Sequence, residues 1–259
     1  MTSCLTSTSE GQTLILTIRN PEFKNALGPE IYTAGIEALN AFESNPAIRS
    51  VVITGEGTAF CAGGNLQRLL DNRQLPKDVQ AQSIDGLHSW IEAIHAYPKP
   101  VIAAVEGAAA GAGFSLALAC DFCVAAEDAI FVMAYSTIAL SPDGGGSWAL
   151  ARSLPRQLAM QLMLCGDRIT AQRLKDFGLV NHVCSSGHAL GDALALAERL
   201  NARAANAISS IKELVNDAAN NALSQHLNQE RDHFVANLHH PNSAEGINAF
   251  LGKRPPSYL

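Results

Sequence analysis

The chain has 259 residues, of which 47% are hydrophobic and 16% charged, with a formal net charge of −6 at pH 7. That composition supports a sizeable core and excludes global disorder. Without a basic tail it argues against a nucleic-acid partner, although a few local Lys and Arg suffice to hold the phosphates of an anionic small molecule.

The N-terminal stretch MTSCLTSTSEGQ is polar and lacks the charged-then-apolar layout of a secretory leader. Thr13 to Arg19, TLILTIR, is apolar and rich in branched residues and is expected to be a strand. After the loop NPEFKNALG, Pro29 occupies a first helical position, and Tyr32, Gly35, Ile36, Leu39 and Phe42 recur at helical spacing. RSVVIT, 49–54, predicts a second strand, followed by the glycine-rich turn FCAGGNLQRLL entering a helix. Ser83 to Ala96 predicts a helix stopped by Pro98 and Pro100. VIAAV, 101–105, predicts a buried strand leading through the small-residue turn of GAAAGAGFSLALACD into another helix.

Short strands are expected at 121–125 and 129–134, a loop at LSPDGGG (140–146), helix from Trp148 onward, and a short strand at LVNHVC (179–184). From Gly187 the chain turns Ala-rich, with Leu190, Leu194, Ala197 and Leu200 in helical register, and a helical tail runs from Ala205 to Phe250. Strands alternate with helices first and helices alone follow, the pattern of an α/β domain with a helical C-terminal part. We divide the chain into a core, 1–200, and a helical region, 201–259. No uninterrupted apolar run is long enough to span a bilayer. The six cysteines are scattered, which fits reduced thiols and a cytoplasmic protein. Cys120 and Cys123 form a lone C-x-x-C pair, read as two small apolar residues between helix and strand rather than a metal or redox motif.

Two segments share one design of apolar strand, tiny residues, then helix: VVITGEGTAFCAGGNL and VIAAVEGAAAGAGFSL. A helix start leaves backbone N–H groups without partners, and small side chains let a ligand oxygen approach them. Two such donors converging on one point would make an oxyanion hole; alternatively the small residues only permit close packing. The second turn half-matches a dinucleotide fingerprint at Gly111 and Gly113, but Leu116 stands at the third glycine position.

KNALGPEI, AFCAGGNL, KPVIAAVEGAAAGAGFSLALACD, SPDGGGSW, GLVNHV and INAFLGKRPPSY together resemble the successive motifs of the crotonase (enoyl-CoA hydratase/isomerase) superfamily, in the family's order and over nearly the whole chain. The resemblance implies a crotonase-like spiral of ββα units, a C-terminal helical region for trimer or dimer-of-trimers contacts, and an acyl-CoA thioester substrate. Coenzyme A enters as part of the substrate, with no separate cofactor and no metal. It places the oxyanion donors at the backbone N–H groups of Gly64 and Ala112, with Ala62, Gly63 and Gly111 beside them in contact with substrate. Lys24 and Lys253 match positions that approach the nucleotide phosphates.

The hydratase's two glutamates do not carry over: their positions match Ser115 and Tyr135, the latter then a substrate contact. Asp143 in SPDGGG instead matches the acidic position of the phenylacetate-pathway enoyl-CoA and ring isomerases, and the nucleophilic aspartate of the aryl-CoA dehalogenases, in which His88 would be the base. The leading expectation is an isomerase using Asp143. A hydratase, a hydrolase or dehalogenase with Asp143 and His88, and a non-catalytic acyl-CoA or RNA-binding relative are the alternatives. Ser115 and Ser147 lie outside any G-x-S-x-G motif. Phe114 and Trp148 are expected in the pocket wall or core, and His226, His233, His239 and His240 on solvated helix and loop surface.

Overall fold

The computed structural model describes residues 3–259. Its first two strands, β1 (Cys4–Glu10) and β2 (Thr13–Arg19), form an antiparallel hairpin. Nothing in the sequence marks β1 as a strand. Its exposed, polar edge position explains this, since only Leu5 packs against the core and no apolar alternation marks it. After a 3-10 turn at Pro21–Phe23 comes α1 (Pro29–Glu43), which buries Ile31, Tyr32, Gly35 and Leu39, with Ile36 and Phe42 partly buried.

β3 (Ser50–Gly55), β4 (Val101–Val105), β6 (Phe122–Ala126) and β9 (His182–Cys184) complete a six-stranded sheet in the order β1-β2-β3-β4-β6-β9, parallel from β2 onward. β5 (Ala108–Ala110), β7 (Ile130–Val132) and β8 (Arg168–Thr170) make a second sheet in the order β5-β7-β8. Thus β4 and β6 each enter the large sheet and the strand after each, β5 and β7, enters the small one. A bridge from Cys61 to Ala109 gives the segment after β3 the same relation to β5. This is the spiral of ββα units that the motifs imply. Neither β5 nor β8 stands out in the sequence, because three residues are too few for a period and β5 is pure alanine.

The central strands are buried on both faces, as parallel strands must be. Val51, Ile53, Val101, Ala103 and Val105 point into the main core, together with Phe60, Trp90, Phe114 and Phe131. Val52, Ile102, Ala104 and Val124 point the other way, against Ala189, Ala193 and Ala197 of α8 (Ala189–Asn201). Alanine at every fourth position lets that helix sit close to the sheet, with Leu190, Leu194 and Leu200 at its margins.

Between β3 and β4 run α2 (Leu66–Asn72) and α3 (Lys77–Ala96). α3 begins six residues before the expected Ser83, because its first turns are polar and exposed and show no apolar stripe. Gly35 of α1 faces the Trp90 ring, where any Cβ would collide, so α1 and α3 pack closely. α4 (Ala112–Ala119) follows β5; α5 (Gly146–Ser153) and α6 (Arg156–Cys165) follow β7, and α7 (Ala171–Asp176) follows β8.

The tail is α9 (Ala205–Ala218), α10 (Leu223–Leu238) and α11 (Pro241–Leu251). Lys212 ties α9 to the core through Asp121 at 2.8 Å and the Ile94 carbonyl at 3.0 Å. No helix among the described residues is long and apolar enough to cross a membrane.

Candidate active site

The two glycine-rich turns meet. Gly63 has φ +89°, and a Cβ there would lie 2.7 Å from the Ala110 oxygen and 3.3 Å from the Ala112 nitrogen. Gly113 sits against Cys61, where a Cβ would strike the carbonyl oxygen and come within 2.8 Å of Sγ. Only glycine tolerates either position, which is why both turns are built of tiny residues. The first turn is pinned by three bonds: Leu27 N–H to the Gly63 oxygen at 2.7 Å, Ala62 N–H to the Lys24 oxygen at 3.0 Å, and Gly63 N–H to Cys61 Sγ at 3.3 Å. The second is pinned by Gly111 N–H to the Val132 oxygen at 2.9 Å.

The N–H groups of Gly64 and Ala112 find no acceptor among the described residues. Ala112 opens α4, where such donors are expected to be unpaired. Both residues line one cavity of about 390 Å³, together with Ala62, Gly63 and Gly111.

Asp143 reaches the same cavity, half-buried, from the loop between β7 and α5. Gly144 and Gly145 both take left-handed φ, +59° and +78°, so the loop turns sharply behind the carboxylate. Ser115, buried at the first turn of α4, donates its hydroxyl to the Asp143 carbonyl oxygen at 2.9 Å. A Cβ on Gly144 would be 3.1 Å from Ser115 Cβ, so the loop rests directly on this small side chain.

Tyr135, on the far side, donates its hydroxyl to Asp143 Oδ1 at 2.5 Å. Burial, then the neighbouring carboxylate, push the Tyr135 phenol far above its usual range, so it holds its proton and serves as donor. Tyr135 also packs 3.5 Å from the point where a Gly111 Cβ would stand. Ser115, Tyr135 and Asp143 therefore form one hydrogen-bonded group beside the two free N–H donors.

His88 also lines the cavity, on an exposed face of α3. Lys24 is exposed and outside the cavity wall, but its carbonyl holds the first turn, and it and the neighbouring Asn25 both take left-handed φ, 49° and 60°. The Asn25 amide donates to the Glu56 and Ala59 oxygens at 2.9 and 2.7 Å. Lys253 is exposed after α11 and does not line the cavity.

Phe114 is core, packed at a tilt against Phe131 with ring centroids 5.0 Å apart, whereas Trp148 is a surface residue edge-on to His95 with Arg152 over its ring. The expected pocket or core role for Trp148 is thus corrected: α5 turns it outward, and its counterpart inside is Leu150. Among the described residues no cluster of three or more His, Cys, Asp or Glu is arranged to hold a metal.

Several cavity residues are not singled out by the sequence, Tyr32, Arg68 and Ser83 among them. Arg68 follows Gly64 by four positions, in the first turn of α2, so its nearness to the turn was available. Its contact with Ser83, fifteen residues away, was not. Tyr32 was read only as part of a buried stripe; burial raises its phenol to about 12 while Arg68 pulls it down and Asp143 pushes it up, so its hydroxyl senses both charges.

A family model described as enoyl-CoA hydratase/isomerase matches residues 8–259. A 1,2-epoxyphenylacetyl-CoA isomerase of Escherichia coli (strain K12) is 35% identical over 246 residues, covering 95% of this chain and 94% of the relative. A 2,3-dehydroadipyl-CoA hydratase of the same organism is 36% identical over 245 residues, covering 95% and 94%. The crystal structure of an enoyl-CoA hydratase from Polaromonas sp. JS666 superposes with a TM-score of 0.98 at 72% identity, covering 99% of this chain and 100% of that one. Matched over nearly its whole length in both sequence and fold, the chain belongs to the enoyl-CoA hydratase/isomerase family, with the crotonase fold and an acyl-CoA substrate.

Proposed function

We propose that this enzyme is a CoA-thioester isomerase in which Asp143 moves the proton. The observation that carries the reading is the Tyr135–Asp143 pair at 2.5 Å on the wall of the cavity that also holds the Gly64 and Ala112 N–H groups. The thioester oxygen accepts from both N–H groups, which stabilise the enolate as it forms; one such donor contributes about 3–4 kcal/mol to the transition state. The Asp143 carboxylate takes a proton from a carbon next to the enolate system and returns it to another. For a strained-ring substrate it assists opening in the same place. Tyr135 and Ser115 hold the carboxylate and its loop in position. His88, on the cavity wall, is the base in the alternative hydrolase or dehalogenase reading with Asp143 as nucleophile, and Lys24 and Lys253 are the cations proposed for the nucleotide phosphates.

Hydration is the rival reading, because it is the activity named for several of the relatives, the 2,3-dehydroadipyl-CoA hydratase among them, and for the structure at 72% identity. A water-adding site served by a pair of carboxylates has Ser115 and Tyr135 to work with here. That leaves Asp143 alone to activate water, and it favours isomerisation. A screen of CoA thioesters by mass spectrometry decides: isomerisation leaves the mass unchanged, hydration adds one water, and hydrolysis releases free CoA. A gain of water on every substrate turned over overturns the isomerase reading. We assign the tail, α9 to α11, to self-association as a trimer or dimer of trimers. It carries Val215, Phe234 and Phe250 at 68%, 69% and 84% exposure, apolar surface that a free monomer would leave in water.

A further inference from the structure

The proposed chemistry leaves one cation of the cavity unused. Arg68 lies in the first turn of α2, its N–H accepted by the N-cap Asn65 at 3.1 Å, and its half-buried side chain forms part of the cavity wall. One guanidinium nitrogen, Nη1, donates to Ser83 Oγ at 3.0 Å. Nε is buried and has no acceptor. Among the described residues no carboxylate lies within 4.0 Å of the group. A guanidinium carries five donors and does not lose its charge, so removing it partly from water without a counter-charge is costly. The free energy is recovered when a ligand supplies an anion, and the planar fork is matched best by a carboxylate.

The geometry also sets where that anion sits. Leu87 of α3 lies under the Asp143 loop, since a Cβ on Gly144 would be 3.3 Å from its Cδ2. Ser83, which holds Arg68, is four residues earlier on the same helix, about 6 Å along the axis at the usual rise. Ile84 and Leu69 line the cavity with them. The cavity thus presents the acid–base group at Leu87, apolar side chains, and a cation one helical turn away with the Tyr32 hydroxyl beside it.

We propose that Arg68 selects acyl-CoA thioesters whose acyl chain ends in a carboxylate, held at the Arg68–Ser83 end of the cavity. The proposal rests on the acyl-CoA reading of the site but not on which reaction Asp143 catalyses. The test is therefore binding, by isothermal titration calorimetry, of two saturated thioesters of equal chain length, adipyl-CoA and hexanoyl-CoA. The wild-type enzyme is expected to bind adipyl-CoA at least tenfold more tightly. In Arg68→Met that preference disappears, adipyl-CoA weakening about ten- to a hundredfold while hexanoyl-CoA changes less than threefold. Arg68→Lys, with charge but no fork, falls between.

Equal wild-type affinity for the two thioesters overturns the proposal, and this comparison stands even if a variant fails to fold. Equal weakening of both in Arg68→Met also overturns it, by placing the guanidinium on the CoA moiety. Failure of the wild type to bind either thioester sinks the acyl-CoA reading itself, a result distinct from binding both equally.

Discussion

Tyr135→Phe isolates the hydrogen bond that orients the proposed base. The ring stays packed beside Gly111 and only the hydroxyl is lost, leaving Asp143 Oδ1 without its 2.5 Å donor. A hydrogen bond to a charged group contributes about 1.5–3 kcal/mol. If that contribution is spent on holding the carboxylate in its reactive position, kcat falls by about 10- to 150-fold at one decade per 1.36 kcal/mol. The Ser115 hydroxyl and the left-handed glycines still hold the loop, so thermal unfolding by circular dichroism should shift by only a few degrees. The assay is steady-state turnover of whichever thioester the mass-spectrometric screen identifies, on wild type, Tyr135→Phe, Asp143→Asn and the double variant. Because the two residues act as one unit, the double variant should be scarcely slower than Asp143→Asn alone. A Tyr135→Phe enzyme within twofold of wild-type kcat refutes the orienting role, and strict additivity refutes the coupling.

Asp143→Asn keeps an acceptor for Tyr135 but cannot take a proton; turnover should fall about 100-fold or more with little change in KM, and an active variant would remove Asp143 from the mechanism. In ¹⁸O-water a nucleophilic Asp143 would acquire label, detectable in its peptide, whereas the isomerase leaves it unlabelled. Gly113→Ala forces a methyl into Cys61 and should destabilise the fold by about 1–3 kcal/mol in urea titrations while disturbing both turns at once. Lys212→Met strands the Asp121 carboxylate, whose own burial already pushes its pKa up; a loss of about 3 kcal/mol is expected, and a neutral result would show α9 to be held by packing alone. Stability should also fall as pH rises from about 10 toward 12. Tyr32 and Tyr97 keep their protons in the folded state up to about 12 but lose them near 10 when unfolded, so the unfolded state is favoured in that window; a flat profile there contradicts their burial.

The succession of elements was legible because the sequence repeats a local physical signal. Branched and apolar runs at 13–19, 50–55 and 101–105 can be little but buried strands, and Pro29, Pro98 and Pro100 mark where helices begin and end. Asp143 and the turns around Gly64 and Ala112 stood out for the same reason: tiny residues beside a helix start, and an acid before glycines, carry their chemistry locally. What sequence alone did not contain was every contact made across the chain. β1 and β5 exist because neighbouring strands pair with them, not because of their own residues. Gly63 meets Ala112, and Ser115 meets the Asp143 loop, only once the spiral brings β5 and α4 beside the first turn. By the family resemblance Tyr135 only matches a hydratase glutamate position, and tertiary packing makes it a donor to the Asp143 carboxylate. Arg68 gains its partner Ser83 only from the packing of α2 against α3. Local propensity and patterning are written in adjacent residues, whereas the distances between distant side chains are set by how the layers pack.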